Sequence, residues 1–168
     1  SLIPTYGAVR TRLQDSVIGA GTSSDFNSTE GVLFFETSAL GNDVSRIISV
    51  KESLSAQDRM FLRFDASGTI TYRYYVGGSI VINIVYSGIN PLENNKIACK
   101  WELNNFSLWV NGVKVDEDLS GAVKTPNTFS SLNLDEYSNT NSFFGKTSQV
   151  QVFNTALSDF ELQQLTTI

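Results

Sequence analysis

Histidine is absent from the 168-residue sequence, and cysteine and methionine occur once each. Without an imidazole there is no Ser-His-Asp or Cys-His catalysis, no His-liganded zinc and no imidazole general base at neutral pH. A single cysteine, Cys99, closes no internal disulfide and reads as a small buried hydrophobe. Charged residues are few at 17%, against 41% hydrophobic, which is enough apolar material for a core and argues against disorder. Long hydrophobic runs are missing too. The longest, Ile80-Val-Ile-Asn-Ile-Val-Tyr86, is broken by Asn83 and cannot span a bilayer as a helix. The net charge of −5 and a pI near 4.6 disfavour a nucleic-acid backbone or an anionic membrane as partner. Proline is scarce, with three residues. Ser1 in place of Met, with no visible signal peptide, leads us to expect a piece of a longer polypeptide.

What is present has the texture of one all-β domain: β-branched and aromatic residues in short runs, separated by Asn, Ser, Thr and Gly. Residues 1–22 read as an extended lead-in with a first strand, beginning Leu2-Ile-Pro4, and 23–168 as the body of the domain. Strands are expected over 31–36, 46–51, 59–64, 69–76, 79–86, 96–103, 106–110, 113–116, 129–134 and 148–153. The count is about ten to twelve. Gly77-Gly78 and Asn111-Gly112 are two-residue hairpin turns, because those residues accept the positive φ of type I′. The one helix is expected at the end. Ser158 and Glu161 form a capping box, with Leu157 and Leu162 at the staple positions and Phe160, Leu162 and Leu165 offered for burial. A chain of this length with so many strands closes its core as two face-to-face antiparallel sheets or a barrel.

Alternation divides the strands into faces. Met60, Leu62, Phe64, Ile70, Tyr72, Tyr74, Ile97, Cys99, Trp101, Phe106, Leu108, Val110, Val150 and Val152 fall inward. Arg63, Arg73, Tyr75, Asn83, Lys100, Glu102 and Trp109 fall outward. If their strands share a sheet, the outward set gives a polar groove with two aromatics. That is the equipment of sugar binding, in which rings stack on pyranose faces while amide, carboxylate and guanidinium groups fix the hydroxyls. Trp109 is the first choice of platform. Arg63 and Arg73 are either ligand contacts, or simply solvated or paired with Glu102. Loops Gly41-Asn-Asp-Val44 and Asn133-Leu-Asp-Glu-Tyr-Ser-Asn139 carry oxygen ligands of the kind calcium prefers, so Asp43 and Asp135 are candidate calcium ligands. Neither loop has the regular spacing of a dedicated cage, and no cofactor is required.

From Lys96 onward the sequence resembles the concanavalin A-like lectin/glucanase superfamily in its laminin-G-like branch. The resemblance is carried by Lys96-Ile-Ala98, Ser107-Leu-Trp-Val-Asn-Gly112, and the stretch Gly145 to Leu162 with its Gln149-Val-Gln-Val-Phe-Asn-Thr-Ala-Leu-Ser-Asp-Phe-Glu-Leu wording. It implies a jelly roll of two curved sheets. The lead-in and C-terminal wording resemble the terminal modules of bacteriophage tail fibres. That implies adhesion to a host cell-surface glycan, a place on a virion or otherwise outside the cell, and assembly as a homotrimer. Two alternatives stay open: a structural or trimerising cap that binds no glycan, and an accessory module of a secreted polysaccharide-degrading enzyme. Catalysis is not expected. The Glu-x-Asp-x-Glu strand of related glucanases is missing, and Asp116-Glu-Asp118 has the wrong spacing. Nothing in the sequence orients these residues or Glu102 as the two carboxyls, about 5–5.5 Å apart, of a retaining glycosidase.

Overall fold

A computed structural model of the chain describes residue 7 and residues 17–41, 45–52, 57–65, 67–136 and 141–168. Ten strands are present: β1 (Glu30–Ala39), β2 (Arg46–Lys51), β3 (Arg59–Phe64), β4 (Ile70–Val76), β5 (Ser79–Tyr86), β6 (Asn95–Glu102), β7 (Phe106–Val110), β8 (Val113–Asp118), β9 (Ser131–Asn133) and β10 (Gly145–Phe153). One helix, α1 (Asp159–Thr166), follows. The strands form two five-stranded antiparallel sheets, ordered β10-β1-β6-β7-β8 and β5-β4-β3-β2-β9. They make a β-sandwich. The expected strand at 129–134 is confined to three residues, and Phe143 lies in the core ahead of a single β10.

Both tight hairpins take the left-handed conformation their residues allow. Gly77 and Gly78 have φ of 58° and 81°, and Asn111 and Gly112 have 50° and 83°. The turns pair Val76 with Ser79 and Val110 with Val113, and a one-residue bulge in each hairpin, at Tyr74/Tyr75 and at Leu108/Trp109, then shifts the register. In β4–β5 that shift sets Tyr74 opposite Ile82 and Tyr72 opposite Ile84, so the inward residues of the pair face the same side. Every residue assigned inward by alternation lies in, or packs against, one core between the sheets.

Aromatic rings tie the two layers. Tyr74 of one sheet meets Phe106 of the other edge-on at 5.3 Å, and Phe129 lies 5.6 Å from Tyr74 and 6.4 Å from Trp101. Buried polar atoms on these rings are satisfied by carbonyls. Tyr72 donates to Lys100 O at 3.1 Å, Tyr74 to Ser28 O at 3.1 Å and Trp101 Nε1 to Asn27 O at 2.9 Å.

Helix α1 starts at the expected capping box: Glu161 N donates to Ser158 Oγ and Ser158 N to Glu161 Oε2. Leu162 and Leu157 pack with Val32, Phe34, Ala98 and Trp109, so α1 covers the outer face of the first sheet. This explains why β1 is buried on both faces from Val32 to Phe35. Phe160, expected to be buried, is 70% exposed, because it stands on the helix face turned away from the sheet. No helix among the described residues is long and apolar enough to cross a membrane. Most of the expected lead-in lies outside the described residues; at its end Ala20 exchanges backbone hydrogen bonds with Leu132 of β9.

Candidate functional site

The outward residues divide between the two sheets. Lys100, Glu102 and Trp109 lie on the first sheet, and Arg63, Arg73, Tyr75 and Asn83 on the second. They do not form one groove.

Trp109 lies beneath α1 and is 5% exposed, its Nε1 donating to Ser107 Oγ at 3.1 Å. The Lys114 ammonium sits 5.9 Å from its ring centre and bridges Glu117 at 2.6 Å and Asp159 of α1 at 2.9 Å. What remains accessible of the indole borders a shallow groove with Phe160 and Gln163. At 5% exposure, under Leu162 and beside Lys114, the ring leaves little surface for the stacking expected of it. Lys100 is also buried, 5% exposed, with Glu102 Oε2 at 3.7 Å; Asn105 donates to the same oxygen at 2.7 Å. Glu102 therefore pairs within its own sheet and cannot reach Arg63 or Arg73.

The second sheet does assemble a site on its outer face. Register places Ser49, Phe61, Arg73 and Asn83 in one cross-strand row, and Lys51, Arg59 and Tyr75 in the next. Ile47, Phe61 and Tyr75 form a small apolar floor separate from the main core. Three guanidinium groups stand around it. Arg59 stacks on Tyr75, 3.8 Å from the ring centre, and reaches Glu136 at 3.9 Å. Arg63 Nε meets Asp65 Oδ1 at 2.8 Å. Arg73 Nε donates to Asn83 Oδ1 at 2.7 Å, and its guanidinium carbon lies 6.0 Å from the Phe61 ring.

Arg73 has no acidic partner among the described residues. Of the three arginines on this face, Arg59 and Arg63 are paired with Glu136 and Asp65, so Arg73 carries its net positive charge. Sequence reading found Arg63, Arg73, Tyr75 and Asn83, but it left out Arg59. Arg59 opens the expected strand 59–64, and the i, i+2 step back from Phe61 places it on the same outward face.

Of the calcium candidates, Asp43 lies outside the described residues. Asp135 is 4% exposed in the stretch after β9, where Ser49 Oγ donates to its backbone carbonyl at 2.6 Å. Among the described residues no group of three or more His, Cys, Asp or Glu side chains is placed to hold a metal ion. The β8 acids are engaged locally. Glu117 pairs with Lys114, Asp116 Oδ1 accepts from the Glu117 backbone at 2.9 Å, and Asp118 Oδ1 from Ser120.

The sequence matches no family model and no curated protein. The fold does have solved counterparts. It is similar to the carbohydrate-binding module CBM40 of the Ruminococcus gnavus IT-sialidase, solved bound to α2,3-sialyllactose, with a TM-score of 0.70 and 16% identity over 92% of this chain and 97% of that one. The leech intramolecular trans-sialidase aligns at TM-score 0.67 and 22% identity, covering 84% of this chain but only 24% of the larger enzyme. Domains LG4-5 of the mouse laminin α1 chain align at TM-score 0.60 and 10% identity, over 86% of this chain and 40% of that one. The chain thus shares the two-sheet sandwich fold of these structures.

Proposed function

We propose that the chain is a non-catalytic carbohydrate-recognition module whose binding surface is the outer face of β2–β5, and that its ligand is a glycan ending in an acidic sugar. The observation that carries this is Arg73: a half-buried guanidinium, aligned by Asn83, beside the Phe61 and Tyr75 rings, with no carboxylate partner among the described residues. A guanidinium offers a carboxylate paired N–H donors in a fixed fork, and adjoining apolar surface suits the ring carbons of a sugar. The sialyllactose bound to the Ruminococcus module is a ligand of that chemical type. Supporting a binding rather than a catalytic role, the Glu102, Glu117 and Asp118 carboxylates are held in local pairs.

In this reading the module works by equilibrium adhesion to a cell-surface glycan, at the tip of a virion fibre or on another extracellular protein. Weak single sites then gain strength from copy number. The test is calorimetric titration with 3′-sialyllactose and with lactose, for the wild type and Arg73→Ala. Binding that prefers the sialylated sugar and is lost in the variant is expected. A folded, multimerised sample that ignores acidic glycans would sink the reading.

A second reading, a structural cap that assembles copies into a trimer, has one feature in its favour. Phe153, Leu157, Phe160 and Leu165 border an apolar groove of about 500 Å³ along α1. Sedimentation of the wild type against Phe160→Ser tests it: a trimer lost in the variant supports a cap, and a monomer in both removes it.

A further inference from the structure

At the rim of the sandwich, between the ends of β2 and β3 and the loop before β9, lies a second cavity of about 460 Å³ whose lining is polar. Glu52, Asp58, Lys124, Asn127 and Ser23 contribute to it, together with the Thr125–Thr128 turn. The cavity is built on pinned backbone. Ser28 Oγ accepts from Thr128 N at 3.0 Å and Phe129 N at 2.8 Å, and Lys124 N donates to Tyr74 Oη at 3.2 Å. Phe129 itself is buried in the core. Pro126-Asn127, with Asn127 at φ 62°, has the residue pattern of a type II turn, and Thr128 Oγ1 closes it onto Thr125 O at 2.8 Å.

Two of the lining groups are already committed to one another. Asp58 Oδ2 meets Lys124 Nζ at 2.8 Å and Asp58 Oδ1 accepts from Gly77 N at 2.6 Å. The remaining polar groups are not. Among the described residues the Glu52 carboxylate, the Asn127 amide and the Ser23 hydroxyl have no hydrogen-bond or ion-pair partner. A rigid concavity that leaves a carboxylate, an amide and a hydroxyl uncommitted is a hydrogen-bonding socket. Its charge balance, Glu52 and Asp58 against Lys124, is negative, so it disfavours an anion.

We infer that this rim cavity is a second sugar subsite, one that takes an uncharged, hydroxyl-rich pyranose through Glu52 and Asn127. The subsite extends the carbohydrate reading and rests on it to that extent, although its residues are separate from the arginine face. Asp58, just ahead of β3, lies three residues before Phe61, about 10 Å at roughly 3.3 Å per residue, and Phe61 pairs with Arg73. A short oligosaccharide with an acid at one end and neutral rings behind it has the polarity to span the two.

The experiment is amide NMR titration with the neutral methyl glycosides of glucose, galactose, mannose and N-acetylglucosamine. It uses the wild type, Glu52→Gln, Asn127→Gly and, as a control at the other site, Arg73→Ala. Glycine keeps the left-handed backbone of position 127 while removing its amide. At least one glycoside is expected to shift residues 23, 52 and 124–128 in the wild type and in Arg73→Ala alike. Affinity should fall about tenfold in Glu52→Gln and in Asn127→Gly, the loss of one net hydrogen bond to a charged or amide group. Rim shifts absent for all four sugars overturn the inference, as do rim shifts that keep their affinity in both rim variants. A parallel titration with 3′-sialyllactose reads the arginine face separately, so failure at the rim is distinguishable from failure of the acidic-sugar reading.

Discussion

Arg73 and Asn83 stand directly opposite each other on β4 and β5, and the hydrogen bond from Arg73 Nε to Asn83 Oδ1, 2.7 Å long, fixes the guanidinium in place. With Nε engaged, the two terminal nitrogens are the pair left for an incoming carboxylate. Arg73→Ala should therefore remove a charge-assisted contact of about 1.5–3 kcal/mol, weakening binding to a sialylated ligand about tenfold to a hundredfold. Arg73→Lys should recover only part of that, since an ammonium cannot make the paired contact. Asn83→Ala should act through Arg73, with a smaller loss. Calorimetry in rising salt checks the electrostatic origin, because affinity should fall as partly exposed charges are screened.

Trp109 supplies a contrasting expectation. Because the indole is packed between β7 and α1, Trp109→Ala should cost about 3–5 kcal/mol of stability without selecting against any glycan. Lys114→Ala, which cuts the Glu117 and Asp159 bridges over the ring, should leave the fold intact and loosen α1. The checks are denaturant midpoints for both variants and the tryptophan emission of Lys114→Ala, which should shift to the red as the ring gains water.

These two residues mark how far alternation reads. The period of two told which residues point into the core between the sheets, because the apolar side chains of each strand recur on that side. It could not tell which outward face would stay open. That was decided by α1, which is short, starts only six residues after β10 and folds back over Val32, Phe34 and Trp109. Nor could it tell which strands share a sheet. Arg73 and Lys100 both read outward, but β4 and β6 lie in opposite layers. The rim cavity was illegible for another reason. Glu52 and Asn127 are distant in sequence, and their meeting depends on the anchoring of the β9 loop by Ser28.

The cap of α1 should make the helix sensitive to acid. The Ser158 hydroxyl, and secondly the Ser158 backbone N–H, hold the Glu161 carboxyl below its ordinary value. A carboxylate whose folded pKa is depressed stabilises the folded state at pH above its unfolded value, and loses that contribution as pH falls through the folded value. Helix α1 should thus loosen below about pH 4, exposing Trp109 before the sandwich unfolds. Glu161→Gln should flatten that dependence, and Ser158→Ala should cost about 1 kcal/mol near neutrality. Tryptophan emission followed against pH checks both.

Burial pushes the Cys99 thiol well above its ordinary range, and the side chain is sealed between the sheets. Since the thiolate is the reactive form, the native protein should resist a thiol reagent at pH 8 and react in full once denatured. Labelling under native conditions would then report opening of the core rather than fraying at an edge. Gly31→Ala gives the matching perturbation. A methyl group there would collide with the Trp101 ring and come within 2.6 Å of the Phe153 carbonyl, forcing β1 from both neighbours at the point where β10 and β6 flank it. A loss of about 1–3 kcal/mol is expected for such overpacking. It should appear as faster Cys99 labelling in Gly31→Ala than in the wild type, and equal rates in the two proteins would show that the β1 junction yields without opening the core.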